Sequence, residues 1–341
     1  MRNTRKLKPF QIAIIVLLTI AIAMGLTIGI LTGVILNMPK DAPDRISSGI
    51  LPTQAQIDNA IKYDRVLIIG VDGAGGYFGE TNTPNFDKVF GKGSITYSGL
   101  SQKPTISAQN WGAMLHGVTY QTHHITNAIA TVVPWMQPKY PSIFKAYSNN
   151  NKQAKFLSSV TWTPINYGII ENINGLKKLY PSRTFKGKDS TEQLIDSYNC
   201  DITIDALNSI DPSIAFVHFD SVDHAGHSFG YASPEYDEAI KKIDVLIGKL
   251  YDAYVNKGWE DNTLFILVAD HGHTYSGGHG GESDTEKFVT FAVAGNKGNV
   301  IKGTMGKFIT HDLAAVVMYA LGVQQPSTWE GRVPENLFNT L

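Results

Sequence analysis

Residues 270–281 read Asp-His-Gly-His-Thr-Tyr-Ser-Gly-Gly-His-Gly-Gly, poor material for a hydrophobic core and good material for a metal site. The run sets Asp270 beside His271 and brings His279 eight residues on, among five glycines. Carboxylate oxygen and neutral imidazole nitrogen are donors that zinc takes, and glycine lets a backbone fold tightly around an ion. Two other segments offer the same donors. Asp72 precedes Gly-Ala-Gly-Gly, and Asp223-His-Ala-Gly-His227 places a carboxylate and an imidazole four residues apart, able to share a helix face or to converge from a loop.

Each segment follows a short apolar run, at 65–71, 214–219 and 264–268. Runs of this kind are buried parallel strands, whose C-terminal ends share one edge of the sheet and gather residues distant in sequence. The ligands then divide into two sets: Asp72, Asp270 and His271 for one ion, Asp223, His227 and His279 for a second. Two divalent ions about 4 Å apart can clamp the attacking and leaving oxygens of a phosphoryl transfer. His218, His224 and His273 lie close by in sequence and are assigned supporting roles.

Such a site needs a nucleophile. In Lys103-Pro-Thr-Ile-Ser107-Ala-Gln-Asn110-Trp, small and amide-bearing residues lead into a helical pattern. Ser107 is the expected nucleophile, a hydroxyl at a helix start where the macrodipole favours the alkoxide. Asn110, three residues on, is expected to donate its amide to a non-bridging phosphoryl oxygen. Thr105 is the rival hydroxyl, and spacing alone leaves that choice open.

The elements that must position these groups alternate along the chain. Helical patterns begin at Thr83-Pro84 and at Ser233-Pro234, the second with the form of an N-cap before a proline suited to the first turn. Ile240, Ile243, Ile247, Leu250 and Tyr254 line one face of the second helix. Strands alternating with helices predict an α/β domain, a mostly parallel central sheet with helices on both faces. That domain is expected over residues 61–341, after a tail at 1–9, a transmembrane helix at 10–37 and a stalk at 38–60. Residues 10–36 carry no charge and are long enough to cross a bilayer. Arg2, Arg5, Lys6 and Lys8 precede them, whereas Lys40 and Arg45 behind are offset by Asp41 and Asp44. This predicts a cytoplasmic N-terminus and an extracellular or lumenal domain. The net charge of −1 and the lack of a basic stripe argue against nucleic acid as a specific partner, and the single cysteine, Cys200, excludes an intrachain disulfide.

Together these pieces resemble the alkaline phosphatase superfamily and, within it, the type I phosphodiesterase/nucleotide pyrophosphatase family. The resemblance rests on Val-Leu-Ile-Ile-Gly-Val-Asp72-Gly, Pro-Thr-Ile-Ser107-Ala-Gln-Asn110-Trp, Asp223-His-Ala-Gly-His227, Asp270-His271-Gly and Gly-Gly-His279-Gly-Gly, with Thr83-Pro-Asn-Phe-Asp and Trp329-Glu-Gly-Arg beside them. It implies an alkaline phosphatase-like fold and two zinc ions on the two ligand sets. Ser107 rather than Thr105 would be the nucleophile, lying between the metals and contacting them, and would form a covalent phospho-enzyme that water hydrolyses. The domain is short for the family, so insertions that shape substrate pockets are missing.

Neither Cys200 nor Ser107 lies in the C/S-x-P-x-R motif of the superfamily's sulfatases. With no arginine near the five motifs, Asn110 and Trp162 are expected to bind a singly charged diester, although Lys103 or Arg183 can supply a cation for a dianion. The reading is a membrane-anchored two-metal hydrolase of phosphodiester or pyrophosphate bonds, its substrate a small phosphate ester such as a nucleotide or lipid head group. The alternatives are a phosphomonoesterase or phosphoethanolamine transferase with the same site, and a non-catalytic metal-stabilised ectodomain. Protease added to intact cells, or to sealed vesicles if the membrane is internal, is expected to reach the domain; protection until permeabilisation contradicts the orientation.

Overall fold

The computed structural model describes residues 46–135, 139–181 and 192–341. The expected tail, the anchor at 10–37, the start of the stalk and Arg183 lie outside these residues. Among the described residues no helix is long and apolar enough to cross a membrane.

Seven strands form one sheet in the order β2-β7-β6-β1-β5-β3-β4. They are β1 (Arg65–Val71), β2 (Ser94–Leu100), β3 (Phe156–Val160), β4 (Leu176–Leu179), β5 (Ile214–Phe219), β6 (Thr263–Ala269) and β7 (Phe288–Ala294). β4, β3, β5, β1 and β6 run parallel, while β7 is antiparallel to β6 and β2 to β7. β5 and β6 are buried at every position, so both of their faces are covered, which is why their sequences are continuously apolar rather than alternating.

The covering helices pack in two groups. Pro84–Phe90, Glu192–Ala206 and Ser221–Phe229 pack on the long helix Pro234–Asn256, whereas Ser107–His116 and Ile143–Asn150 pack on Leu313–Ala320. The long helix starts as its sequence predicts. Ser233 is extended and accepts a hydrogen bond from the Tyr236 amide, with Pro234 in the first turn.

Residues 46–60, read above as the end of a stalk, are joined to the domain. Ile50 exchanges two backbone hydrogen bonds with Val333, and Thr53 caps a short helix, Gln54–Asp58, that buries Ile57. Thr53 and Gln56 form a reciprocal capping box.

The register explains why the site assembles where it does. Val71 is level with Phe219 on one side and with Ala269 on the other. The next residue on each strand is an aspartate, so Asp72, Asp220 and Asp270 stand abreast at one edge. Gly70, one pleat behind, leaves room for Trp111, whose ring would meet a Cβ there at 2.6 Å. Gly70→Ala is therefore expected to cost about 1–3 kcal/mol, as overpacked cores do, and to loosen Asp72 through Trp111. Urea unfolding checks this, and unchanged stability would show that the packing behind the site has slack.

Candidate metal centre and active site

Ser107 is the first residue of its helix, with extended Ile106 at the N-cap and no side chain capping the turn. Its hydroxyl is therefore not used as a cap. Oγ lies 3.3 Å from Asp72 Oδ1, to which it donates, and 3.2 Å from His271 Nε2. Asp72 Oδ2 accepts from Trp111 Nε1 at 2.9 Å and meets His218 Nε2 at 3.0 Å, so Oδ1 is the oxygen turned toward the serine. Asp270 is held likewise by one oxygen, its Oδ1 accepting from the amides of Gly73 at 3.0 Å and His271 at 2.9 Å.

The second set gathers on the helix Ser221–Phe229, which places Asp223 and His227 one turn apart. Asp223 Oδ2 is 3.4 Å from His227 Nε2, and Oδ1 is 3.6 Å from His279 Nε2. His271 and His279 stack with centroids 3.8 Å apart, joining the two sets. All six predicted ligands thus come together. The clusters are Asp72 with Asp270 and His271, and Asp223 with His227, His279 and a further residue, His273. His218 Nε2 lies 3.0 Å from Asp72 Oδ2, and with Asp72 and Asp220 it forms a further cluster of possible ligands. His224 turns away, 3.3 Å from Asp220, whose hydrogen bond raises it to about 9 and keeps it cationic.

The donor chemistry of these clusters suits divalent ions. His271 Nδ1 faces the Gly272 carbonyl at 3.1 Å and His279 Nδ1 faces the Thr105 carbonyl at 2.7 Å. A carbonyl only accepts, so the proton sits on Nδ1 and Nε2 carries a lone pair. These lone pairs point at carboxylates. Asp270 Oδ2 and Asp223 Oδ1 are buried and accept no hydrogen bond. Burial, and next the Asp72 charge, push the Asp270 carboxyl well above its usual range. Burial works against the Asp72 charge too, but the His218 hydrogen bond holds that carboxyl below the usual range. Burial, with His279 beside it, brings His271 down to about 3, leaving it neutral. Every ion-pair partner of Asp72, Asp223 and Asp270 among the described residues is an imidazole. Carboxylates so arranged hold their charges together only around a cation.

One expectation is corrected. Asn110 is fully buried and does not face the site. Its Oδ1 accepts from the Gln102 amide at 2.5 Å and from Thr310 Oγ1 at 3.0 Å, and its Nδ2 donates to the Ile106 carbonyl at 3.1 Å. It closes the loop before Ser107. A different amide stands beside Ser107: Asn127, whose Oδ1 accepts from the Ala108 amide at 2.9 Å and whose Nδ2 has no partner among the described residues. No motif pointed to it, since it stands twenty residues beyond Ser107 on another helix, Asn127–Val132.

Thr105, the rival hydroxyl, is engaged elsewhere. Its hydroxyl donates to the Gly281 carbonyl and accepts from the Gly280 amide, both at 2.9 Å, while its own carbonyl holds His279. The rival hydroxyl is a strap between the turn leading into the Ser107 helix and the His279 loop. Trp162 lies just beyond β3 at the same sheet edge, partly buried against the core. Lys103 is 3.5 Å from Glu282.

A model of the family described as type I phosphodiesterase / nucleotide pyrophosphatase matches residues 66–283, more than half of the chain. GPI ethanolamine phosphate transferase 2 of Yarrowia lipolytica is 22% identical over 265 residues, covering 75% of this chain and 29% of the relative. The catalytic subunit of human GPI ethanolamine phosphate transferase 3 is 25% identical over 145 residues, covering 42% of this chain and 12% of the relative. The chain thus spans less than a third of the length of either. Among solved structures, a 2-O GAG sulfatase superposes with a TM-score of 0.65 at 15% identity, over 79% of this chain and 73% of the other. An inactive variant of murine ectonucleotide pyrophosphatase/phosphodiesterase 5, in complex with AMP, superposes at 0.57 and 13% identity, over 76% of this chain and 95% of the other. At such identities the likeness shows a shared fold.

Thr105→Val removes both side-chain bonds of the strap, an expected cost of about 0.5–1.5 kcal/mol each, because Gly280 is only partly buried and Gly281 is exposed. Thr105→Ser keeps them. Thermal unfolding is expected to separate the two variants, and a valine variant as stable as the parent removes the strap.

Proposed function

We infer the chemistry of this chain from its site and its kinship: it belongs to the type I phosphodiesterase/nucleotide pyrophosphatase family, within the alkaline phosphatase superfamily. It is a phosphoester-acting enzyme, and the reading favoured here is a phosphoethanolamine transferase working through a covalent adduct on Ser107. The observation that carries the mechanism is the position of Ser107 Oγ, within reach of both Asp72 Oδ1 and His271 Nε2. What favours transfer over hydrolysis is the relatives, which are ethanolamine phosphate transferases by name.

In this reading Asp72, Asp270 and His271 hold one divalent ion and Asp223, His227 and His279 hold another, with Ser107 between. The mixed nitrogen and oxygen donors suit zinc. Bound ions supply positive charge that offsets what builds up on the phosphoryl oxygens and on the attacking and leaving oxygens.

The protein's own groups do the rest. Ser107 Oγ gives up its proton to solvent and attacks phosphorus; a bond from phosphorus to Oγ forms as the bond to the leaving alcohol breaks, and that alcohol takes a proton back from solvent as it departs. An acceptor hydroxyl then attacks the adduct from the opposite side, releasing Ser107 and taking the phosphoethanolamine; water in its place gives hydrolysis. Asp72 receives the serine hydrogen bond and is held still by Trp111 and His218. Asn127 presents its Nδ2 hydrogens to a non-bridging oxygen, the task first given to Asn110. A diester carries a single charge, which matches a site with no arginine contact among the described residues. The anchor expected at residues 10–37 would keep this domain beside lipid-borne substrates.

The test is acid quenching of the full chain with an ethanolamine phospholipid, then mass analysis of the peptide bearing Ser107. A phosphoethanolamine adduct on Ser107 is expected, and Ser107→Ala is expected to lose it with on the order of 10⁴-fold or more in rate, as when a nucleophile is removed. An adduct on Thr105 sinks the mechanism. Release to water undiminished by a hydroxyl acceptor returns the reading to hydrolysis.

A further inference from the structure

His273 stands outside the six ligands assigned above, yet it is fully buried in a slot shaped for it. A Cβ on Gly226 would lie 2.4 Å from its Nδ1, and one on Gly73 2.6 Å from its Cε1, so the ring fits only because both are glycine. Gly73 is also in the left-handed region at φ 67°, which glycine enters without strain. Tyr236 packs edge-on at 6.1 Å and donates its hydroxyl to the Gly73 carbonyl at 2.6 Å.

Inside the slot, Nδ1 is 3.2 Å from the Gly73 carbonyl. That oxygen only accepts, so it draws the ring proton to Nδ1 and leaves a lone pair on Nε2. Nε2 lies 3.1 Å from Asp223 Oδ1. Both atoms are buried, and neither makes a hydrogen bond. Two lone pairs facing each other at that distance repel, and a shared cation turns the repulsion into attraction. The neighbours favour an ion over a proton. His227, His273 and His279 each offer a ring nitrogen and Asp223 an oxygen, all within 4.8 Å of one another. One proton joins one pair, such as His227 and His279 Nε2 at 3.2 Å; one ion satisfies all four.

We propose that His273 is a fourth protein ligand of the ion held by Asp223, His227 and His279, an assignment that rests on the two-metal reading above. The two positions then differ in kind. The ion with three imidazoles and a carboxylate has the number of protein donors that a structural zinc uses, whereas the Asp72, Asp270 and His271 position has three and stands against Ser107. The four-ligand ion is retained longer, and the one beside the nucleophile exchanges first.

The test loads the full chain with Zn²⁺, dialyses it against graded chelator and counts zinc per chain, then repeats the loading with Co²⁺ and records its visible absorption. Wild type is expected to lose its ions in two steps. His273→Ala is expected to weaken the tighter ion by more than about 100-fold, beyond the roughly 10–100-fold that loss of an orienting partner costs, and to change the Co²⁺ spectrum. His273→Gln, which fills the slot and can still donate to Asp223, is expected to lose the tight ion as well. Circular dichroism of the metal-free variants confirms that the slot is folded. A tight ion unchanged in both variants overturns the assignment, as does a glutamine variant that keeps the ion and its spectrum, which would make His273 a hydrogen-bonding support. Wild type that binds no zinc overturns the two-metal reading along with it.

Discussion

Three carboxylates, Asp72, Asp223 and Asp270, are withdrawn from water within reach of one another, and their charges must be balanced where they stand. Uncompensated buried charge costs several kcal/mol per group. The chain meets part of that cost with fixed donors. Trp111 and His218 hold one oxygen of Asp72, and the Gly73 and His271 amides hold one oxygen of Asp270. Each carboxylate keeps its other oxygen turned inward. What the protein leaves unbalanced marks where cations would sit.

The neighbouring imidazoles are set by backbone rather than by side chains. Carbonyls of Gly73, Gly272 and Thr105 face Nδ1 of His273, His271 and His279. Because the carbonyls belong to the turns that follow the strands or lead into the Ser107 helix, the fold itself chooses the tautomer. A chemistry that needs neutral rings with their Nε2 lone pairs inward is therefore secured once the strand ends are in register.

Much of this was legible in the sequence. Continuous apolar runs ending in aspartate announced buried parallel strands and a common edge, and the ligand sets followed. Register was not legible, so nothing marked Asp220 as standing abreast of Asp72 and Asp270. Asn110 shows a subtler failure. Three residues after Ser107 it shares a helical turn with it, but helical side chains lean toward the N-terminus, and there its amide meets the carbonyls of Pro104 and Ile106 before it can meet a substrate. Asn127 carries no signal in the sequence, and His273 is read there only as a supporting residue, because each takes its place through a long-range contact, with Ala108 and with Gly73 and Gly226. The helix Gln54–Asp58 is readable from its Thr-x-x-Gln box, within the stretch assigned to a stalk.

The strap at Thr105 has a consequence for how this site can vary over descent. Its hydroxyl and carbonyl hold residues 279–281, and Gly280 has a φ of 111° that keeps that backbone close to Ile106. The turn leading into Ser107 and the loop carrying His279, separated by most of the domain in sequence, are one mechanical part. Substitutions at 105 and in the glycine loop must therefore be inherited as matched sets, and a chimera that takes either segment alone from a relative would misplace the serine and the histidine together.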